Sequence, residues 1–212
     1  HAFAETLTAL PVELAVTHAH LDHMRHSHRF ARFYMSKKDL PLLPRVQDSF
    51  PENTSTAEQV IDMRDGDVID LGGVATEVAE VGGHTPGSVL FIDRTHKCLL
   101  TRHALGLWMQ VPMALPISTY RDNLLRLQAK LAQPGYTELA FLGGHRRQEG
   151  GVHPGEPYVP NSYEKLKDMV ALCSKLLAGE AEGEPYPVDF GEPAFAVSYK
   201  TANMVYKESV RC

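Results

Sequence analysis

Five of the eleven histidines in this chain fall between His18 and His28, and they open with the run His18-Ala19-His20-Leu21-Asp22-His23. The run follows residues 12–17 (VELAVT), a short apolar stretch behind Pro11 whose composition predicts a buried strand. In an extended segment side chains two apart share a side, so His18 and His20 can reach one ion together. A turn into helix would then carry Asp22 and His23 toward a neighbouring position. Imidazoles and a carboxylate are donors that zinc prefers and that iron or manganese also accepts. A cluster this dense, directly after a buried strand, points to a metal site rather than to the polar residues of a solvated loop.

Two further histidines occupy similar settings. His84 lies in Gly82-Gly83-His84-Thr85-Pro86-Gly87-Ser88, and His145 ends Gly143-Gly144-His145. Each follows a predicted strand at its junction with a loop, where a rigid scaffold displays functional groups. The glycines permit tight backbone paths and close approach. Both are expected as ligands.

The rest of the chain reads as alternating strands and helices. Residues 24–36 have helix-compatible composition, and 39–56, with Pro41, Pro44 and Pro51, read as an irregular loop. Runs at 67–71, 74–81, 88–93 and 97–101 predict short strands, the first two joined by a tight hairpin at Gly72-Gly73. Residues 118–135 predict an amphipathic helix opened by a Thr119/Asp122 capping pair and stopped by Pro134-Gly135. A strand at 138–142, a helix over 162–178 starting from Asn161 and stopping at Gly179, and strands at 194–199 and 203–207 complete a layered α/β pattern.

Composition excludes several functions. With 212 residues, 43% of them apolar, the chain is long enough for one domain with a real core. A net charge of −5 and no basic block make it a poor ligand for nucleic acid. No stretch approaches the roughly 18 to 20 consecutive apolar residues of a membrane span. Cys98, Cys173 and Cys212 are too few and too scattered for a disulfide framework, and no charged n-region opens the sequence, so the expected setting is a reducing, cytoplasmic one.

THAHLDH (17–23), GGHTPGS (82–88) and GGH (143–145) resemble the ordered motifs of the metallo-β-lactamase superfamily. The resemblance implies an αββα sandwich, read as a single metallo-hydrolase domain over 1–212, with a two-metal site at the edge of its sheets. It implies that His18, His20 and His84 hold one zinc and that Asp22, His23 and His145 hold another. Members of this type resemble glyoxalase II-like thioesterases, lactonases and phosphodiesterases acting on small-molecule substrates.

Two departures stand out. The family places a bridging aspartate in a Thr-Gly-Asp setting, where this chain has Thr101-Arg102-His103. A carboxylate can bind two cations at once, whereas a neutral imidazole offers one lone pair, so His103 can ligate one metal but not bridge. Repulsion between two dications roughly 4 Å apart is on the order of 16 kcal/mol at an effective dielectric near 20, so losing a bridging anion matters. The expectation is a weakened second metal or a mononuclear site. Only 17 residues precede His18, where the family has strands and a helix. The expectation is therefore an N-terminally short form of the fold, with a homo-oligomer or a complementing N-terminal segment covering the open edge.

Water activated by the metal would attack an ester, thioester, lactone or phosphodiester, with Asp22 orienting it or taking its proton. The alternatives are a mononuclear iron enzyme resembling the persulfide dioxygenases and a metal-poor binding scaffold. His26, His28, His96 and His153 read as surface histidines. Arg146-Arg147 suit an anionic group or a plain surface, and Trp108, Met109 and Met113 an apolar loop.

Overall fold

Local pairing follows the residue pattern closely wherever partners are near in sequence. The computed structural model describes residues 3, 6–105, 108–109, 111–136, 138–144, 159–187 and 191–212. Its backbone divides into two compact units, 1–64 and 65–212.

In the first unit, the strand expected over 12–17 is reduced to a single bridge, in which Val16 N–H donates to the Tyr34 carbonyl and Tyr34 N–H to that of Leu14, both at 2.9 Å. Helix α1, Leu21–Met24, lasts one turn. The helix expected beyond it is absent. Residues 27–29 form a single 3-10 turn, and Phe33–Met35 is strand β1, parallel to β2, Val60–Asp62. Phe33 and Met35 are buried with Tyr34 between them half-exposed, which is the period of a strand and not of a helix. The stretch expected as loop is also helical: a 3-10 segment over Lys37–Leu42 runs into α2, Leu43–Ser49. Pro44 sits in the first turn of α2, where its missing N–H has no intrahelical partner to lose. Val16, Ala19, Met24, Phe33, Met35 and Val46 are among the residues of this unit's core.

In the second unit the order is β3 (Val68–Asp70), β4 (Ala75–Glu80), β5 (Val89–Asp93), β6 (Cys98–Leu100), β7 (Trp108–Met109), α3 (Ile117–Leu131), β8 (Ala140–Leu142), α4 (Tyr163–Ala178), β9 (Glu184–Tyr186), β10 (Ala194–Tyr199) and β11 (Ala202–Lys207). One sheet runs β3-β4-β5-β6-β8 and a second runs β7-β11-β10-β9. The β3–β4 hairpin closes on Gly72 and Gly73, both at positive φ, with Leu71 N–H donating to the Val74 carbonyl and Asp70 accepting from both glycine amides.

Two helix starts differ from expectation. Helix α3 begins directly behind Pro116 with no side-chain cap, so Thr119 and Asp122 lie inside it. Ser162, rather than Asn161, caps α4 by accepting from Lys165 N–H at 3.1 Å. Gly179, at φ 71, closes that helix in the left-handed conformation a C-terminal glycine permits. The segment around Trp108-Met109, expected as loop, pairs in parallel with β11. Leu124, Leu127, Leu166, Met169, Leu90 and Met204 bring both long helices and both sheets into one core. Among the described residues no helix is long and apolar enough to cross a membrane.

Candidate metal centre

Each unit carries its own group of imidazoles. In the first, Thr17, His18 and Ala19 are all buried. The Thr17 hydroxyl lies 3.2 Å from His18 Nδ1. Asp39, itself fully buried, accepts the N–H of Ala19 at 2.9 Å, so a carboxylate twenty residues downstream holds the backbone between His18 and His20. His20 is the N-cap of α1, and its carbonyl accepts from the amides of His23 and Met24. That turn swings His23 back beneath His18. The His18 ring centroid lies 4.9 Å from that of His20 and 4.3 Å from that of His23. Asp22 Oδ2 approaches His23 Nε2 to 3.2 Å, its side chain 48% exposed against 10% for the imidazole. Three imidazoles and a carboxylate are thus gathered within a six-residue run.

The C-terminal side of α1 is held by a buried polar network. Asn53 Nδ2 donates to the Met24 carbonyl at 2.6 Å and to Ser27 Oγ at 3.1 Å, while its Oδ1 accepts from Ser55 N–H. Ser27 donates to the same Met24 carbonyl, and its hydroxyl lies 2.7 Å from that of Ser55. The carbonyls that α1 cannot satisfy internally are met from across the unit.

In the second unit His84 and His103 are both buried, and their rings stack with centroids 4.5 Å apart and planes 30° apart. Packing places them. A Cβ at Gly83 would meet Tyr120 Cδ2 at 2.2 Å, and one at Gly82 would meet the Pro86 carbonyl oxygen at 2.9 Å, so both glycines are required by space. The loop closes through Gly83 N–H to the Thr85 carbonyl and Thr85 N–H to Ser88 Oγ, both at 3.0 Å. Tyr120 reaches from α3 to donate its hydroxyl to the Ala104 carbonyl at 2.8 Å, next to His103. Burial pushes the Tyr120 phenol well above its ordinary range, so it stays protonated and keeps donating. One aromatic side chain therefore abuts the loop before His84 and anchors the turn that carries His103.

Of the residues expected from sequence, His18, His20, Asp22 and His23 are gathered in one unit and His84 with His103 in the other. His145 lies outside the described residues, as do His153, Arg146 and Arg147. His26 is exposed, and His96 is exposed on the β5–β6 turn with its Nδ1 2.7 Å from Asp93 Oδ2. Asp39, Asn53 and Tyr120 escaped the sequence reading. No spacing rule marks them, because each acts through a hydrogen bond to backbone distant in sequence.

No family model matches the sequence. Over 100 residues it is 32% identical to an uncharacterized protein of Mycobacterium tuberculosis (strain ATCC 25618 / H37Rv) and to one of Mycobacterium bovis, the match taking in 38% of this chain and 43% of each relative. The match thus spans less than half the length of those relatives. Among solved structures, a metallo-beta-lactamase from Pontibacter korlensis superposes with a TM-score of 0.55 at 18% identity, over 82% of this chain and 74% of that one. The metallo-beta-lactamase IND-7 gives 0.54 at 19% identity, over 80% and 73%. A metallo-beta-lactamase superfamily protein of Sulfolobus tokodaii gives 0.51 at 14% identity, over 88% and 75%. At these identities the likeness is one of fold.

Proposed function

The chain has the metallo-β-lactamase fold, and from that premise we propose that it is a metal-dependent hydrolase acting on an ester, thioester, lactone or phosphodiester of a small molecule. The observation that carries the reading is the grouping of imidazoles in each unit: His18 with His20 and His23 beside Asp22, and His84 with His103. Buried nitrogen donors with a nearby carboxylate suit zinc, and also iron or manganese. His18, His20 and His23 with Asp22 are the donors proposed in the first unit, and His84 and His103 those in the second, with His103 where the fold's relatives use an aspartate and His145 a further ligand implied by the resemblance. When bound, the metal supplies Lewis-acid activation of water near neutral pH and polarisation of the bond to be broken.

This chain's own residues supply the rest. Asp22, whose carboxylate is half-exposed and 3.2 Å from His23, would orient water and hold its proton on a carboxylate oxygen. Asp39 and Asn53 keep the histidine turn in one shape, and Tyr120 does the same for the His84 and His103 loops. Cys98, Cys173 and Cys212 are free, which is compatible with the reducing compartment proposed from composition.

A single experiment addresses the reading. The purified protein should contain a transition metal by elemental analysis, and His18→Ala or His84→Ala should remove metal and hydrolysis together. A protein that carries none, and that gains no hydrolysis on adding zinc, ends the proposal. Arg102-His103, in place of a glycine and an aspartate, favours a second reading as a catalytically silent scaffold. A large gain in hydrolysis from Arg102→Gly combined with His103→Asp would mark an impaired enzyme instead.

A further inference from the structure

We propose that Arg102 selects the substrate, and that the substrate carries a carboxylate or phosphate oxyanion close to the bond that is cleaved. The inference rests on the hydrolase reading above. Its starting point is a difference among cations. Every other lysine and arginine described within residues 65–212 is engaged: Lys97 with Glu138, Lys130 with Glu77, Arg94 over the Tyr136 ring, and the remainder on carboxylates, a carbonyl or an amide. Among the described residues of 65–212 Arg102 alone has no such partner, and it is exposed.

The backbone that carries the guanidinium is nevertheless held at a defined place. Thr101 before it is buried, with its N–H and hydroxyl both donating to the Leu142 carbonyl at 2.9 and 3.2 Å. Asn161 Nδ2 donates to the same hydroxyl at 2.8 Å. His103 after it is buried and stacked on His84. Both neighbours are clamped, so the stem of Arg102 leaves the backbone beside the imidazole pair. The backbone there is left-handed, at φ 42, a conformation that suits glycine and disfavours an arginine Cβ. The side chain runs across Gly144, where a Cβ would meet Arg102 Cδ at 2.6 Å and Nη1 at 3.3 Å. Gly144 thus leaves the room that this arginine occupies.

A guanidinium is permanently charged and presents a planar fork of N–H donors that matches carboxylate and phosphate oxygens. An uncharged ester offers it neither charge nor two parallel acceptors. Beside residues that would hold a divalent ion, an unengaged cation raises the local concentration of anions and orients one that arrives.

The test compares the zinc-loaded protein with Arg102→Gly, which should fold because the left-handed backbone accepts glycine, and with Arg102→Lys, which keeps the charge without the fork. Three substrates are used: 4-nitrophenyl acetate, 4-nitrophenyl hemisuccinate and bis(4-nitrophenyl) phosphate. Relative to acetate, Arg102→Gly should lower kcat/KM on an anionic substrate about tenfold, through KM, with partial recovery in Arg102→Lys. A fall confined to the hemisuccinate assigns carboxylate recognition, and one confined to the phosphodiester assigns phosphate recognition. Equal changes on all three substrates, or none, overturn the proposal.

Calorimetric titration of metal-depleted protein with succinate and with inorganic phosphate gives a readout independent of turnover. Arg102→Gly should weaken binding of one anion about tenfold, and unchanged affinity, or no binding by the parent protein, overturns the proposal. If no zinc-loaded form hydrolyses any substrate, the hydrolase reading fails and the titration alone decides the role of Arg102.

Discussion

The two units place their histidines by different physical means. In residues 1–64 the ordered elements are short, and the His18–His23 turn is held by buried polar groups: Asp39 on Ala19, and Asn53, Ser27 and Ser55 around the Met24 carbonyl. In residues 65–212 helices of 15 and 16 residues pack with the sheets, and His84 and His103 are placed mainly by close contact around Gly83 and Tyr120. A unit with little apolar surface to bury relies on directed hydrogen bonds, in which each deleted partner strands another buried group. A unit with long elements can use shape, which is less forgiving of added volume than of a lost hydrogen bond.

The largest effect should therefore come from adding one methyl group to the second unit. Gly83→Ala brings a Cβ to 2.2 Å from the Tyr120 ring, an overlap that a buried aromatic on a packed helix cannot absorb by rotating away. Destabilisation of about 3 kcal/mol is expected, read by urea denaturation, with faster amide exchange along α3. If Gly83→Ala is as stable as the parent, placement by shape is the wrong account of this unit.

Next in size is the converse change in the first unit. Asn53→Ala adds no volume but strips the Met24 carbonyl, Ser27 Oγ and Ser55 N–H of a partner. The cost should be about 2 kcal/mol, the range for leaving buried polar groups unsatisfied. Amide exchange should rise around residues 16–35 and leave α3 and α4 protected. A uniform rise across both units would remove the distinction between them.

Legibility in the sequence divides along the same line. In the second unit the pattern of residues 67–101 sufficed for β3 to β6 and the Gly72-Gly73 hairpin, because these strands pair with sequence neighbours. The long helices were readable from their apolar spacing, although Pro116 and Ser162 rather than Thr119 and Asn161 precede them. In the first unit, Phe33-Tyr34-Met35 looked helical because its partner, Val60–Asp62, lies 27 residues on in a parallel pair that no local signal announces. Pro41 and Pro44 looked like loop markers, yet one lies in a 3-10 segment and the other opens a helix. The histidine motif could be read because donors of one kind recur at short spacing. Asp39 and Tyr120 could not, since an isolated aspartate and an isolated tyrosine carry no meaning until the chain brings Ala19 or Ala104 to them.

The smallest effect probes an exception to the comparison. The second unit also contains a polar clip: Asp168 on α4 is buried and accepts the Thr201 hydroxyl at 2.7 Å and Thr201 N–H at 3.2 Å, with Lys200 Nζ 3.7 Å away. Burial alone would raise this carboxyl's pKa, but the hydrogen bonds from Thr201 and the Lys200 charge outweigh it and hold the pKa below its usual 3.8. A carboxyl whose pKa is lower folded than unfolded stabilises the protein above the unfolded value and loses that contribution as pH falls through the folded one. Asp168→Asn should therefore cost about 1 kcal/mol at neutral pH, the difference between charged and neutral hydrogen bonds. The cost should shrink toward zero as pH falls through the lowered pKa of the folded carboxyl, where the parent becomes protonated as well. Urea midpoints followed from neutral pH into acid test this. A penalty that persists undiminished in acid would mean that Asp168 acts through the shape of its contact with Thr201, which would bring even this clip under the packing logic of the rest of its unit.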